Sequence, residues 1–221
     1  MTIAGSRSAL HGLYPILDPR LVRRLSLVEA LKEAAAGGAR LFQYRDKAAS
    51  GKDAYRQAEQ LRRAASDAGA ILIVNDRCDL ALAVDADGVH VGQDDLPVAL
   101  TRAVMGPHKL IGLSTHTAEQ VTLATADKPD YVGFGPIFPT ASKAEHEPAV
   151  GVEGLHRVRV LTDLPMFAIG GISLEHAESV MQAGADGVAV MSAIWSAPDI
   201  SAAVRAFIEK IERASRPMNE S

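Results

Sequence analysis

One unit recurs along the whole chain: a helical segment, a Gly or Asp, a short apolar strand, and a polar residue or Gly where the strand ends. Five segments follow this order, and three further short apolar segments bring the number of predicted strands to eight, at a spacing of about 25 residues, enough for one strand and one helix. They cover residues 13–17, 41–45, 71–74, 89–93, 110–113, 131–135, 166–170 and 188–192. The pattern predicts an α/β fold, a single (β/α)8 TIM barrel, and its regularity disfavours the rival, a doubly wound open sheet.

Helical periodicity is clearest in four of the segments between or after these strands. The predicted helices are Leu27–Ala36, Ala54–Ala68, a segment from the N-cap Ser173 to about Gln182, and Ile200–Arg213. Gly37 and Gly69 follow the first two helices, where a left-handed C-cap belongs. No Pro/Ser-rich linker divides the interior, so we predict one domain over residues 1–221, with a core of about 12–214 and short polar tails.

The composition disfavours several classes of partner. With 23 Lys plus Arg against 27 Asp plus Glu, the net charge of −4 does not suit a nucleic-acid backbone. The longest apolar stretches, such as 70–74 and 80–84, are strand-sized and too short to cross a bilayer. Residues 1–12 lack the apolar region of a secretory signal, and the single Cys78 cannot form an internal disulfide. We therefore expect a cytoplasmic protein with no nucleic-acid or membrane partner.

Polar residues and glycines follow the predicted strands. In a parallel barrel the carboxyl ends of all strands meet at one mouth, where active sites lie. The candidates there are Gln43, Arg45, Lys47, Asn75, Asp76, Gln93, Asp94, Asp95, Ser114, Thr115, His116, Gly135, Thr140, Ser142, Lys143, Gly170, Gly171, Met191 and Ser192. Carboxylates together with Lys and Arg suit a reaction of a magnesium-bound pyrophosphate.

A second pattern that indicates anion binding lies near the C-terminus. The Gly170-Gly171 pair after the seventh strand and Met191-Ser192 after the eighth match the phosphate site that such barrels build from these two loops. The alternative interpretation of the glycines is a tight turn between strand and helix.

The charged candidates have plainer interpretations as well. Asp76 and Asp95 each precede a predicted helical segment, so each could be only an N-cap. Arg45 and Lys47 could be solvated loop charges. His90 alternates with valines and is interpreted as a core or supporting histidine, and Cys78 as a small core residue.

Six motifs, each at a predicted strand end, together resemble the thiamine phosphate synthase family. They are Gln43-Tyr44-Arg45-Asp46-Lys47, Val74-Asn75-Asp76-Arg77, the segment 88–95, Gly112-Leu113-Ser114-Thr115-His116, the segment 133–140, and Ala168-Ile169-Gly170-Gly171-Ile172. The resemblance covers about 12–194 in the family's order. Two positions depart from the family pattern: Ser142 stands where a Thr is usual, and Leu17 where the first strand tends to have Thr.

The resemblance implies an alkyl transfer. A 4-amino-2-methyl-5-pyrimidinylmethyl pyrophosphate would be joined to a 4-methyl-5-hydroxyethyl-thiazole phosphate, or to its carboxylated form, giving thiamine phosphate and pyrophosphate. In the family the route is thought to be dissociative, with the thiazole nitrogen capturing a pyrimidine carbocation. The protein then supplies electrostatics and positioning and needs no nucleophile of its own.

The resemblance also implies roles for individual residues. The catalytic group is Arg45, Lys47, Ser114 and Lys143. The expected contacts to the pyrimidine pyrophosphate are Gln43, Tyr44, Arg45, Asp46, Lys47, Asn75, Ser114 and Lys143. The expected contacts to the thiazole phosphate are Thr140, Ala141, Ser142, Gly171, Met191 and Ser192. Asp76 and Asp95 would hold one Mg²⁺ per subunit, and the expected assembly is a homodimer.

Two alternatives remain. A thiazole tautomerase-like paralogue would use the same barrel for proton transfer without the metal and pyrophosphate residues. A non-catalytic phosphate-binding barrel would keep the glycine loops and have no use for magnesium ligands. The joint presence of Arg45, Lys47, Asp76, Asp95 and Lys143 favours the synthase.

Overall fold

Eight strands form the centre of the protein, which we describe from a computed structural model over residues 10–140 and 148–215. They are β1 (Gly12–Leu17), β2 (Leu41–Tyr44), β3 (Ile71–Asn75), β4 (Gly88–Val91), β5 (Leu110–Thr115), β6 (Tyr131–Phe134), β7 (Met166–Ile169) and β8 (Gly187–Val190). All pair in parallel in chain order, and β1 pairs with β8 from Gly12 opposite Gly187 to Pro15 opposite Val190. The closed barrel predicted from the repeat is confirmed.

Helices cover the outside of the barrel. They are α1 (Leu27–Ala36), α2 (Gly51–Asp67), α3 (Cys78–Ala83), α4 (Val98–Met105), α5 (Ala118–Asp127), α6 (Gly151–Arg159), α7 (Ala177–Gln182), α8 (Ser192–Trp195) and α9 (Ile200–Ser215). The prediction for α1 is confirmed at both ends. Over residues 10–140 and 148–215, no helix is long and apolar enough to cross a membrane.

Two predicted helix ends are wrong. Ser173 does not cap α7, because its hydroxyl donates to Glu175 Oε2 at 2.5 Å and residues 173–176 form a turn before the helix begins. Gly37 has a right-handed φ of −72°, and the next residue, Gly38, takes the positive φ of 110°. Gly69 is left-handed as predicted, with φ 62°.

The apolar side chains form two layers, one inside the barrel and one between barrel and helices. Successive residues of a strand point to opposite sides of the sheet. In β2, Leu41 belongs to the interior layer and Phe42 and Tyr44 to the outer one. The interior layer is closed by large rings, among them Tyr14, Tyr131 and Phe167, so the barrel is a packed core with its site at one end.

A repeated ion pair, which we call the Asp–Arg bracket, joins strands at the amino-terminal end of the barrel. An Asp just before an even-numbered strand accepts from a backbone N–H near the start of the preceding strand and pairs with an Arg of an even-numbered helix. The brackets are Asp87 with Leu72 N (2.8 Å) and Arg62 (3.4 Å), Asp130 with Ile111 N (2.9 Å) and Arg102 (2.5 Å), and Asp186 with Met166 N (2.8 Å) and Arg159 (2.9 Å).

Candidate active site

The carboxyl ends of the strands surround a cavity of about 450 Å³, including solvent at its opening. Its floor consists of Tyr14, Tyr131 and Phe167, whose rings pack edge to face with centroids 5.2–6.0 Å apart. Of the predicted site residues, five line it: Gln43, Arg45, Asn75, Ser114 and Met191. A flat, apolar ring can therefore rest on aromatic side chains while polar groups contact its edges.

Tyr44 does not contribute its side chain to this cavity. It follows Gln43 in β2, so its ring points outward and is buried in the layer between barrel and helices. Its hydroxyl is buried, and within residues 10–140 and 148–215 it has no hydrogen-bond partner. Burial, with a smaller effect of Asp46, raises the pKa of this phenol. The structure therefore does not bring the side chain of the predicted site residue Tyr44 to the cavity.

Arg45 is held in place by Asp18, a residue to which the sequence analysis gave no role. The Arg45 Nη1 atom lies 2.7 Å from Asp18 Oδ2, and Arg20 Nη2 lies 2.7 Å from the same oxygen. Burial opposes ionisation of Asp18, but the two guanidinium groups outweigh it and lower the pKa of the carboxyl. Asp18 directly follows β1, and the other polar candidates likewise lie where a strand ends. This position could have identified Asp18 as a site residue from the sequence.

Asp46 and Lys47 follow in the loop after β2. Asp46 Oδ1 accepts from the backbone N–H groups of Ala48 and Ala49 at 2.9 and 3.0 Å, so its carboxylate shapes the loop. The exposed Lys47 extends its ammonium to 3.4 Å from Asp76 Oδ2. A lysine so placed at the mouth can meet an anion.

Asp76 and Asp95 lie close together at the ends of β3 and β4. Asp76 has a φ of 60°, and Arg77 N donates across it to Asn75 O at 2.7 Å, a strained tight turn for a residue other than Gly. Burial and the neighbouring Asp95 carboxylate raise the pKa of Asp76, while Lys47 opposes them. The interpretation of both acids as N-caps is wrong, since α3 and α4 begin without a side-chain cap bond.

These two carboxylates fit a magnesium ion. A divalent cation removes the repulsion between two hard anionic oxygen donors. Mg²⁺ commonly binds one or two carboxylates together with substrate phosphates and waters. Asp95 Oδ2 also accepts from Gly92 N at 2.7 Å, which fixes the orientation of that carboxylate. In the described residues, no group of three or more His, Cys, Asp or Glu forms a larger metal cluster.

Ser114 faces the cavity from β5 next to His90 of β4. The His90 Nε2 atom lies 2.9 Å from Ser114 Oγ, and Gln93 Nε2 donates to the Ser114 carbonyl at 2.6 Å. His90 is buried, so its interpretation as a core or supporting residue is confirmed. Cys78 is likewise buried, as predicted.

The loops after β7 and β8 complete the mouth. Gly171 has a φ of 64°, and a Cβ there would lie 2.7 Å from Phe138 Cβ and Pro139 O. Met191 lines the cavity, and Ser192 opens α8, which Trp195 ties to β1 by a 2.7 Å hydrogen bond to Ile16 O. Thr140 is the last residue of the first described range, 10–140. The predicted contacts Ala141, Ser142 and Lys143 lie outside the described residues.

Comparison with known proteins gives a consistent answer. A family profile described as thiamine monophosphate synthase matches residues 13–194. The thiamine-phosphate synthase of Chloroflexus aurantiacus is 48% identical over 193 residues, covering 87% of this chain and 89% of the relative. That of Methanospirillum hungatei is 44% identical, covering 90% and 96%. The solved thiamine phosphate pyrophosphorylase of Pyrococcus furiosus superposes with a TM-score of 0.85 at 35% identity, covering 94% of this chain and 98% of that one.

Proposed function

The chain belongs to the thiamine monophosphate synthase family and is a transferase, and we propose that its barrel mouth joins a pyrimidinylmethyl pyrophosphate to a thiazole phosphate. In this reaction the methylene C–O bond breaks and its electron pair leaves with pyrophosphate. The lone pair of the thiazole nitrogen forms the new C–N bond. No protein nucleophile and no proton transfer are required, so the residues act by binding and by stabilising charge.

The observation that carries this proposal is one mouth that joins a charged rim to an aromatic floor. Arg45, Lys47 and the Asp76–Asp95 pair stand at the rim, while the cavity floor is made of Tyr14 and neighbouring rings. The rim suits a pyrophosphate and the floor suits a flat heterocycle. The substrate's two halves match the two parts of the site.

The cations at the rim stabilise the leaving group. Arg45, fixed by Asp18, can offer its remaining guanidinium N–H groups to phosphate oxygens, and Lys47 adds a point charge. Asp76 and Asp95 would hold one Mg²⁺, which when bound supplies further neutralisation of the pyrophosphate charge. Lys143 is proposed from the resemblance as a further cation in the same role.

The thiazole phosphate is assigned to the loops after β6, β7 and β8. Gly171 lets the backbone of the loop after β7 pack closely against Phe138 and Pro139 of the loop after β6. Its contact to the phosphate is proposed from the resemblance. The hydroxyls of Thr140, Ser142 and Ser192 and the backbone at Ala141 and Met191 are the further proposed contacts.

Incubation of the purified protein with both substrates and Mg²⁺ tests the proposal, with thiamine phosphate measured by its oxidation to a fluorescent thiochrome. We expect product only when both substrates and the metal are present. Conversion of a thiazole tautomer without the pyrimidine substrate would instead indicate the tautomerase-like paralogue. Phosphate binding without any turnover would indicate the non-catalytic barrel.

We also propose a homodimer located in the cytoplasm. Leu96, Leu100 and Val104 are each about half exposed at and along α4, with exposures of 45%, 55% and 48%, and a second copy would cover them. The single cysteine fits a reducing compartment. Sedimentation equilibrium of the wild type and of Leu100→Glu tests the dimer, and cell fractionation tests the location.

A further inference from the structure

A continuous chain of hydrogen bonds runs along the floor and walls of the cavity and joins five residues, Gln43, Tyr14, Tyr131, His90 and Ser114, which we call the interior relay. Gln43 Nε2 donates to Tyr14 Oη at 3.0 Å, and Tyr14 Oη lies 2.8 Å from Tyr131 Oη. Tyr131 Oη lies 3.1 Å from His90 Nδ1, and His90 Nε2 lies 2.9 Å from Ser114 Oγ. All five residues line the cavity, and Gln43 and Ser114 are the two ends of the relay. A polar chain of this length in an apolar core costs stability unless every member is satisfied.

The sequence makes room for the relay at Gly112. A Cβ there would lie 2.4 Å from His90 Nδ1 and 2.5 Å from Tyr131 Oη, so only glycine lets this pair meet. The ring of Tyr131 is also packed against Phe167, with centroids 5.5 Å apart. The geometry between the two hydroxyl-bearing rings and the imidazole is therefore fixed by packing.

The bonds of the relay have one direction. The Tyr14 hydroxyl has two partners among the described residues, Gln43 Nε2, which can only donate, and Tyr131 Oη. If no buried hydroxyl proton is left unsatisfied, the Tyr14 O–H donates to Tyr131, and the Tyr131 O–H then donates to His90 Nδ1. Burial raises the pKa of both phenols, so both keep their protons. A His90 ring that accepts at Nδ1 carries its proton on Nε2 and donates to Ser114 Oγ.

We propose that the interior relay sets the polarity of the two cavity walls, presenting the Ser114 hydroxyl as a donor on one side and the Gln43 amide oxygen as an acceptor on the other. The two residues lie on β2 and β5, three strands apart around the barrel. The matching ligand is a flat ring with a lone-pair nitrogen on one edge and an exocyclic amino group on the opposite edge, which is a neutral aminopyrimidine. This inference rests on the proposed function and names what selects its pyrimidine.

The rings of Tyr14 and Tyr131 belong to the cavity floor, but their hydroxyls and the His90 imidazole are positioning groups in this scheme, because they act on the edges of the ligand through Gln43 and Ser114. Their effect is distinct from that of a purely structural role. A 4-oxo ring places a lone pair where the 4-amino ring offers a donor, and the Gln43 oxygen repels it. Loss of the relay frees the Gln43 amide to rotate, so discrimination between the two rings falls even if the fold is intact.

Calorimetric binding of the 4-amino pyrimidinylmethyl pyrophosphate and its 4-oxo analogue tests the proposal. We expect the wild type to prefer the amino compound about a hundredfold, because the wrong ring leaves a buried acceptor unpaired. Tyr14→Phe should reduce this preference to a few-fold, and Tyr55→Phe, on the exposed face of α2, should leave it at the wild-type value. An unchanged preference in a folded Tyr14→Phe would overturn the proposal.

The tautomer of His90 provides a measurement on the unmodified, ligand-free protein. Nitrogen-15 NMR of histidine-labelled protein, with the His90 signals assigned by their loss in His90→Gln, should show the proton on Nε2. A proton on Nδ1 would reverse the relay and overturn the inference even if thiamine phosphate is formed. An Nε2 proton in a protein that binds no pyrimidine would instead retain the relay and reject the proposed function and ligand.

Discussion

The two ends of the barrel use the same residue types for opposite purposes. At the amino-terminal end, each Asp of an Asp–Arg bracket meets both a backbone N–H and a guanidinium, so its charge is matched within the chain. At the carboxyl end, Asp76 and Asp95 face each other, and the exposed Lys47 pairs with Asp76 at 3.4 Å. An acid that the fold satisfies is structural, whereas an acid pair that the fold leaves under-compensated is available to a ligand.

Backbone strain does not separate the two ends. Asp76 holds a left-handed backbone with φ 60°, which for an L-residue costs on the order of 1–2 kcal/mol. Asp85 and Lys128, in the loops that lead into β4 and β6 at the amino-terminal end, are left-handed as well, with φ values of 52° and 56°. The repulsion between Asp76 and Asp95, and not strain alone, therefore marks the carboxyl end as the place where stability is given up for function.

The largest expected effect is the loss of turnover when one carboxylate of the Asp76–Asp95 pair is removed. Asp95→Asn keeps an acceptor for Gly92 N–H and so preserves the loop, but it removes one anionic metal donor. We expect turnover to fall about a hundredfold or more, and chelation of divalent metal to abolish it, in steady-state assays of thiamine phosphate formation. Turnover that persists in excess chelator would remove the metal role of Asp76 and Asp95.

The matched change at the other end is Asp130→Asn or Asp130→Ala. Removing the carboxylate leaves Arg102 and the Ile111 N–H of the bracket with weaker partners, and the alanine variant should lose about 2 kcal/mol of unfolding free energy. Urea unfolding measures this loss. Turnover per folded molecule should stay at the wild-type level, and a fall comparable to that of Asp95→Asn would show that the two ends are not functionally distinct.

The comparison also explains what the sequence could predict. Local signals were sufficient for the barrel, because the short apolar runs, five of them preceded by Gly or Asp, and the helix α1 can each be recognised within about ten residues. The acid pair and Arg45 were found because residues at strand ends must share one mouth. Ser173 was misassigned since a hydroxyl can bond to its neighbour Glu175 as readily as cap a helix.

Partners across the barrel were beyond local signals. Tyr14 and Tyr131 are 117 residues apart, and no spacing rule brings their hydroxyls to 2.8 Å. The outward direction of Tyr44 follows from strand alternation and could have been predicted by counting from Gln43. In the sequence, the Asp of each Asp–Arg bracket could be recognised only as the residue that precedes a strand. Its pairing with Arg could not be predicted, because the Arg lies on a different element.

Two glycines with nearly the same backbone give the next test. Gly171 at the mouth and Gly69 at the end of α2 have φ values of 64° and 62°, but a Cβ at Gly69 meets no atom within 4 Å. Gly69→Ala should cost about 1 kcal/mol of stability and leave both Michaelis constants unchanged. Gly171→Ala should in addition raise the Michaelis constant for the thiazole phosphate, by about tenfold, since it pushes Phe138 and Pro139 away. Equal changes for both substrates would assign Gly171 to the fold alone.

The smallest expected effect concerns the pH dependence of stability. Burial and Asp95 raise the pKa of Asp76 in the folded state, so the folded protein holds this proton more tightly than the unfolded chain does. Metal-free protein should therefore lose stability as the pH rises from the unfolded pKa of an aspartate through the raised folded value. Asp76→Asn cannot ionise and tolerates a left-handed backbone, so its melting temperature should exceed that of the wild type at neutral pH, by no more than about 2 °C. Added Mg²⁺ should stabilise the wild type at neutral pH, because it binds the folded state alone, and its effect should be lost in acid, where protons compete with the metal for Asp76. Scanning calorimetry of both proteins between acid and neutral pH, with and without Mg²⁺, separates these cases.

A wild type that gains stability with rising pH in the absence of metal would show that Lys47 compensates Asp76 fully, and the contrast between the two ends of the barrel would then rest on turnover alone.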